Sequence, residues 1–267
     1  RFRMTGFRYS DWSYQPNCGW VTTGPISEGT CKMWGNPVAE MMYEGLRYFA
    51  GTGNNAALPD PATPTAAFNY TFGTGTDYTT LGLPQVATWD NPFATNGACA
   101  RPFMLVISDI HPSYDSNQLP GVYSGFAASP SFTDTFSSWD QPPVAFDAED
   151  LGEEISTAEP VTGNRYIGQV NATADNSCLP KNMTGNGFGR ARGLCPEEPT
   201  KQGSFYSASA AYFGRTHDIS ASEGTQNVLS YIVGLASPLP RLEIPVGSSV
   251  VTLVPFAKSV GGCLGVH

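Results

Sequence analysis

The chain carries little charge and no concentration of it. Charged residues make up 14% of its 267 residues, and 14 Lys and Arg against 23 Asp and Glu leave a formal net charge of −9. Without a Lys/Arg cluster, such a chain repels phosphate backbones, which excludes nucleic acid as an expected partner. No apolar run approaches the roughly 20 residues that span a bilayer, so no transmembrane segment is expected. Histidine is scarce, with only His111, His217 and His267, and no Cys-x-x-Cys pair joins them, which argues against zinc. Gly-x-Ser-x-Gly and His-Glu-x-x-His are absent, and no histidine stands beside a Ser or Cys nucleophile motif.

What is present points to a folded, oxidised domain. The length is enough for a sizeable core, and one domain over residues 1–267 is the expectation. Plentiful Gly (29) and Pro (22) imply many turns, while 15 Phe, 12 Tyr and 5 Trp supply surface to bury. Six cysteines, an even number, read as disulfides: Cys18 with Cys31 and Cys178 with Cys195, with Cys99 and Cys263 joined to each other or left for outside partners. Disulfides place the chain outside the cytoplasm. It carries no signal peptide and opens at Arg1 within what reads as a structured segment, so a mature or proteolytic fragment is expected.

The organising stretch is Phe103-Met104-Leu105-Val106-Ile107-Ser108-Asp109. A run apolar at every position predicts a central parallel strand buried on both faces. Asp109 then stands at the carboxyl edge of the sheet, where open α/β sheets bind ligands. With Asp115 and Asn117 it offers hard oxygen ligands suited to calcium or magnesium, although all three are also ordinary turn formers. His111, two residues on, reads as a loop hydrogen-bonding residue. Before this strand, Asn36 is expected to cap a helix over 37–50 with Pro37 at its first position and Gly51 beyond its end. Val38, Met41, Met42, Leu46 and Phe49 form its apolar stripe, opposite Glu40, Glu44 and Arg47.

After the strand, residues 146–158 read as a short acidic helix with Asp147 near its start and a solvated acidic face. Arg165 to Val170 suggests a short strand. The glycine-rich stretch between Cys178 and Cys195 lacks the P-loop pattern and reads as a stapled surface loop. A second helix is predicted over 204–213 and a second buried strand over Val228–Leu235, with further strands at 242–244 and 250–254. This order of helix, strand, helix, strand is that of an α/β fold, with 110–200 as a large loop-rich, disulfide-stapled insertion. Asp11-Trp12-Ser13-Tyr14-Gln15 is an incomplete Asp-x-Ser-x-Ser motif with no strand before it, and is read as coincidence. Asn69, Asn171 and Asn182 head N-glycosylation patterns that chance explains as well.

Several stretches resemble a known family. Asn36 to Gly51, Trp89-Asp90-Asn91-Pro92 before Cys99, and Leu105 to Asp109 running to Asn117-Gln118-Leu119-Pro120-Gly121 are similar to the PilC/PilY family of type IV pilus tip proteins. The similarity continues through Arg192-Gly193-Leu194-Cys195-Pro196, Arg215-Thr216-His217-Asp218-Ile219 and Tyr231-Ile232-Val233-Gly234, and ends at Pro255 to Gly262. It implies a von Willebrand factor A-like, Rossmann-like sheet with helices on it, followed in the full protein by a β-propeller with a calcium loop. Neither an Asp-x-Asp-x-Asp-Gly loop nor the opening strand that would bear Asp-x-Ser-x-Ser occurs in this sequence. Asp109 matches the acidic position after the fourth strand of such domains, one member of a metal-ion-dependent adhesion site.

The resemblance also implies a role. It is that of a non-enzymatic protein at the cell surface or pilus tip, exported through the periplasm, supporting pilus assembly and adhesion. Asp109, His111, Tyr114 and Asn117 would face partners: minor pilins or other pilus proteins, or a host or surface ligand. The competing class is a secreted hydrolase or metal-dependent enzyme on an α/β scaffold, against which the missing motifs stand.

Overall fold

Helix α1, Val38–Ala50, stops where the sequence says it must. Gly51 adopts the left-handed conformation (φ 61°), and its N–H bonds the carbonyl of Tyr48 at 3.1 Å. Its start differs from expectation: Pro37 is the N-cap and supplies no side-chain bond, while the Asn36 side chain is turned elsewhere. The buried stripe is also rotated from the one expected. Met42, Tyr43 and Leu46 are buried, Met41 is 39% exposed, and Glu40 and Arg47 lie inside.

The structure, a computed structural model, describes residues 36–51, 71–72, 76–77, 89–109, 111–116, 119–126, 133–195, 199–235 and 242–253. The pairing expected for Cys18 and Cys31, the motif at Asp11, and Asn117 and Cys263 lie outside the described residues. Strands β1 (Thr71–Phe72) and β2 (Thr76–Asp77) pair antiparallel. Helix α2 is Pro92–Asn96, capped by Asn91, whose side chain accepts the Phe93 N–H. Strand β3, Phe103–Ser108, follows, and after the loop to Phe126 comes an antiparallel hairpin of β4 (Asp134–Phe136) and β5 (Val144–Phe146). Helix α3, Ala148–Ala158, begins at Asp147, whose carboxylate accepts the Asp150 N–H at 2.9 Å.

From Asn164 to Arg192 the chain forms a lobe of short strands. Strands β6 (Asn164–Tyr166), β7 (Gln169–Val170), β8 (Thr173–Ala174), β9 (Pro180–Asn182) and β10 (Ala191–Arg192) pair as β6–β9 and β10–β7–β8. The single strand expected over 165–170 is thus two, in different sheets. The Cys178–Cys195 disulfide closes the lobe, whereas Cys99 carries a free, exposed thiol. The glycine-rich stretch is stapled as expected and exposed at Leu179, Pro180, Asn182, Thr184 and Gly185, but from Gly187 on it turns inward. Its 3₁₀ turn, Phe188–Arg190, lies against α3 so closely that a Cβ on Gly152 would stand 2.6 Å from the Gly189 nitrogen.

Helix α4, Tyr206–Thr216, leads to β11, Leu229–Gly234, which pairs parallel with β3 in the register Leu105↔Tyr231 and Ile107↔Val233. Strands β12 (Leu242–Val246) and β13 (Ser249–Leu253) form an antiparallel hairpin. Helices α1 and α4 pack on the β3–β11 pair and on each other, with Tyr206, Ala210 and Phe213 of α4 buried. The core lies beneath them: Met42 and Leu46 of α1 meet Phe136, Phe146 and Phe213, with Phe136 and Phe213 centroids 5.0 Å apart. Each such phenyl ring, fully buried, contributes about 1.5–3 kcal/mol.

The two-faced burial expected of β3 is not found. Val106 faces the core, but Phe103, Leu105 and Ile107 are 52%, 62% and 59% exposed. Among the described residues helices cover one side only and the pair gains no further strands. The architecture is α/β with small, separate sheets.

Candidate functional site

The carboxyl ends of β3 and β11 and the loop after β3 form the edge to which the sequence directs attention. Asn36 organises it. Its Nδ2 donates to Ser108 Oγ at 2.8 Å, Asp109 Oδ1 at 3.0 Å and the His111 carbonyl at 3.2 Å, and its backbone pairs with Ser113. The start of α1 is thereby fastened to the end of the strand. Asp109 Oδ1 also accepts the His111 N–H at 2.8 Å, so this carboxylate holds its own loop together.

Asp115 stands apart from that edge in character. It is fully buried, and Oδ1 accepts the Ser204 N–H at 2.8 Å, while Oδ2 has no hydrogen-bond partner. Burial pushes its pKa up to about 7, against the pull of the Ser204 and Ala39 backbone amides. Those two amides lie just ahead of α4 and in the first turn of α1, so one carboxyl faces the starts of two helices, where negative charge is favoured.

Beside it lies a buried guanidinium. Arg192, 2% exposed, donates from Nε to Gln169 Oε1 at 2.7 Å and from Nη1 to Gln202 Oε1 at 3.2 Å and Ser116 Oγ at 3.3 Å. Its Cζ is 4.1 Å from the centroid of the Phe126 ring. Burial lowers its pKa to about 10, countered by the negative charge of Asp115. This group knits the loop after β3, the disulfide-closed lobe and the approach to α4 into one polar core. No pattern near Arg192 announces it, because its partners come from distant segments.

Of the residues expected to face partners, Asp109 and His111 lie at the edge. Tyr114 is buried, 8% exposed, in a left-handed conformation (φ 52°), with Lys201 Nζ 5.9 Å from its ring centroid. Among the described residues no group of three His, Cys, Asp or Glu side chains could hold a metal ion. No described helix is long and apolar enough to cross a membrane.

A disulfide-braced α/β module with a loop-bearing strand edge is the class of protein this geometry defines. Residues 1–214 match the family described as PilY1 homolog, second domain. The chain is also 41% identical over 275 aligned residues to the type IV pilus biogenesis factor PilY1 homolog of Xylella fastidiosa, a match covering 98% of this chain and 16% of that protein. The chain belongs to this PilY1-homolog family, as its sequence stretches indicated. It spans about one sixth of the length of that relative. No solved structure matches it.

Proposed function

We propose that this chain is a non-catalytic module of a type IV pilus biogenesis protein, carried outside the cytoplasm to the cell surface or pilus tip. There it supports pilus assembly and adhesion. The observation that carries this reading is the 41% identity, across nearly the whole chain, to a relative named a type IV pilus biogenesis factor. The Cys178–Cys195 bridge supports an oxidising destination. The parallel β3–β11 pair beneath α1 and α4 supports kinship with the von Willebrand factor A-like sheet.

The edge bearing Asp109 and His111 is the contact surface in this reading, its partners being minor pilins, other pilus proteins, or a host or surface ligand. Asn117, one of the three oxygen ligands expected for calcium or magnesium, lies outside the described residues, and the role proposed here is not routed through a metal. The test is made in the full-length protein, expressed in a piliated bacterium that lacks its own copy. Deleting this region is expected to abolish surface pili seen by electron microscopy, and Asp109→Ala with His111→Ala to leave pili but lower adhesion several-fold. Normal piliation and adhesion in the deletion strain would overturn the proposal.

A further inference from the structure

The β3–β11 pair is built like the interior of a sheet, and among the described residues one of its sides is left open. Leu105 and Ile107 are joined there by Phe103 and, on the partner strand, by Tyr231 and Val233, which are 55% and 47% exposed. The register sets these side chains on one face, with Leu105 beside Tyr231 and Ile107 beside Val233. Phe103 and Tyr231 also meet as rings, 6.2 Å between centroids. None of the five carries charge, so the face offers nothing to an ionic ligand. Parallel strands are found covered on both faces, and a two-stranded sheet is marginal alone. Among the described residues each strand also has one edge without a partner, a row of backbone donors and acceptors open to pairing.

We propose that this face and its edges are an intramolecular docking surface, covered by an apolar segment of the domain that precedes this one in the longer polypeptide. The family to which the chain belongs is a second domain by description, and the chain spans 16% of its relative's length, so neighbouring chain is the abundant candidate. A tethered neighbour has the advantage of effective concentration over any free partner. Edge pairing with a second copy is disfavoured by symmetry. A two-fold axis would set the paired edge strands antiparallel, whereas parallel sheets grow through crossovers of one chain. The inference rests on family membership and does not depend on a role in pili.

The test uses the full-length protein with the photoreactive residue p-benzoylphenylalanine in place of Tyr231, an aromatic exchange at an exposed position, and separately in place of Leu105. Formation of the Cys178–Cys195 bridge reports folding of each variant. On irradiation, the expected crosslinked peptides join position 231 or 105 to sequence N-terminal to this region, with no gain in oligomeric mass. Crosslinks to a second molecule, to residues within this region or C-terminal to it, or no crosslink in a folded variant, would each overturn the proposal. As a second measurement, Ile107→Lys in the full-length protein should speed amide exchange in Phe103–Ser108 at least tenfold. Unchanged exchange would count against it.

Discussion

Asn36 Nδ2 donates to Asp109 Oδ1 at 3.0 Å, joining the residue ahead of the Pro37 N-cap to the residue after β3 across a sequence separation of 73. The same nitrogen reaches Ser108 and His111, and the amide Oδ1 accepts from Ser108 Oγ at 3.0 Å. Removing the amide releases all of these together. Asn36→Ala should cost about 1–3 kcal/mol, since polar groups at a half-buried edge lose their partners. Urea unfolding gives the stability, and hydrogen exchange should show the loop from Asp109 to Ser116 opening while Leu229–Gly234 stays protected.

Inside the molecule, Tyr43 of α1 donates a short hydrogen bond to Asp134 of β4, and Arg47 Nε lies 3.4 Å from the same carboxylate. All three are buried. Burial and the negative charge of Asp134 hold the Tyr43 hydroxyl well above its ordinary pKa. Asp134→Ala leaves a buried guanidinium without that carboxylate and should cost about 3–5 kcal/mol. Tyr43→Phe removes only a hydroxyl and should cost about 1–3 kcal/mol. Chemical denaturation of the two variants checks the order; equal costs would show that the ion pair contributes nothing.

The end of α1 and the presence of strands at β3 and β11 were legible because they rest on local signals. Asn-Pro and Gly51 bracket the helix, and two apolar runs name the strands. The burial of Arg47 and Arg192 was not legible, because Asp134, Ser116 and Gln169 are far away in sequence and no period marks them or Gln202. Met41 was misplaced for a related reason: its i+3 spacing fits the stripe, but Arg47, held by Asp134, rotates the helix so that Met41 faces out. The exposure of Leu105 and Ile107 could not be read either, since an apolar run looks the same whether its cover is local or lies elsewhere. At the candidate edge, Asp109 was found from its place after a strand. Asn36, which holds it, carries the local signature of a helix cap.

The disulfide-closed lobe should owe its place to backbone contact as much as to the bridge. Arg190 Nε bonds Glu149 of α3 at 2.7 Å, and the Gly187 N–H meets the Glu153 carboxylate at 3.0 Å. Gly152 must stay small, because a Cβ there would stand 2.6 Å from the Gly189 nitrogen, a backbone atom. Gly152→Ala should therefore destabilise by about 1–3 kcal/mol through overpacking, against the usual gain of alanine in a helix. Replacing Cys178 and Cys195 together by serine should cost about 2–4 kcal/mol. Thermal unfolding of the two variants measures both.

Asp115 sets the direction in which stability depends on pH. Its carboxyl has a pKa near 3.8 when exposed and about 7 in the folded chain. A raised folded value means that the folded state holds the proton more tightly. The contribution is complete below the unfolded value and is lost as pH rises through the folded one. Asp147 and Glu153 are also raised by burial, while Asp175 and Asp218 are lowered by the hydrogen bonds they accept, so the whole protein mixes both slopes. Comparison with Asp115→Asn isolates one group. The amide oxygen still accepts the Ser204 N–H, the amide NH₂ replaces an oxygen that has no hydrogen-bond partner, and the side chain no longer titrates. Wild type should lose stability relative to Asp115→Asn as pH rises from about 4 to about 8. A difference that stays flat over that range, or grows in favour of wild type, would show that Asp115 is ionised throughout and held by more than Ser204.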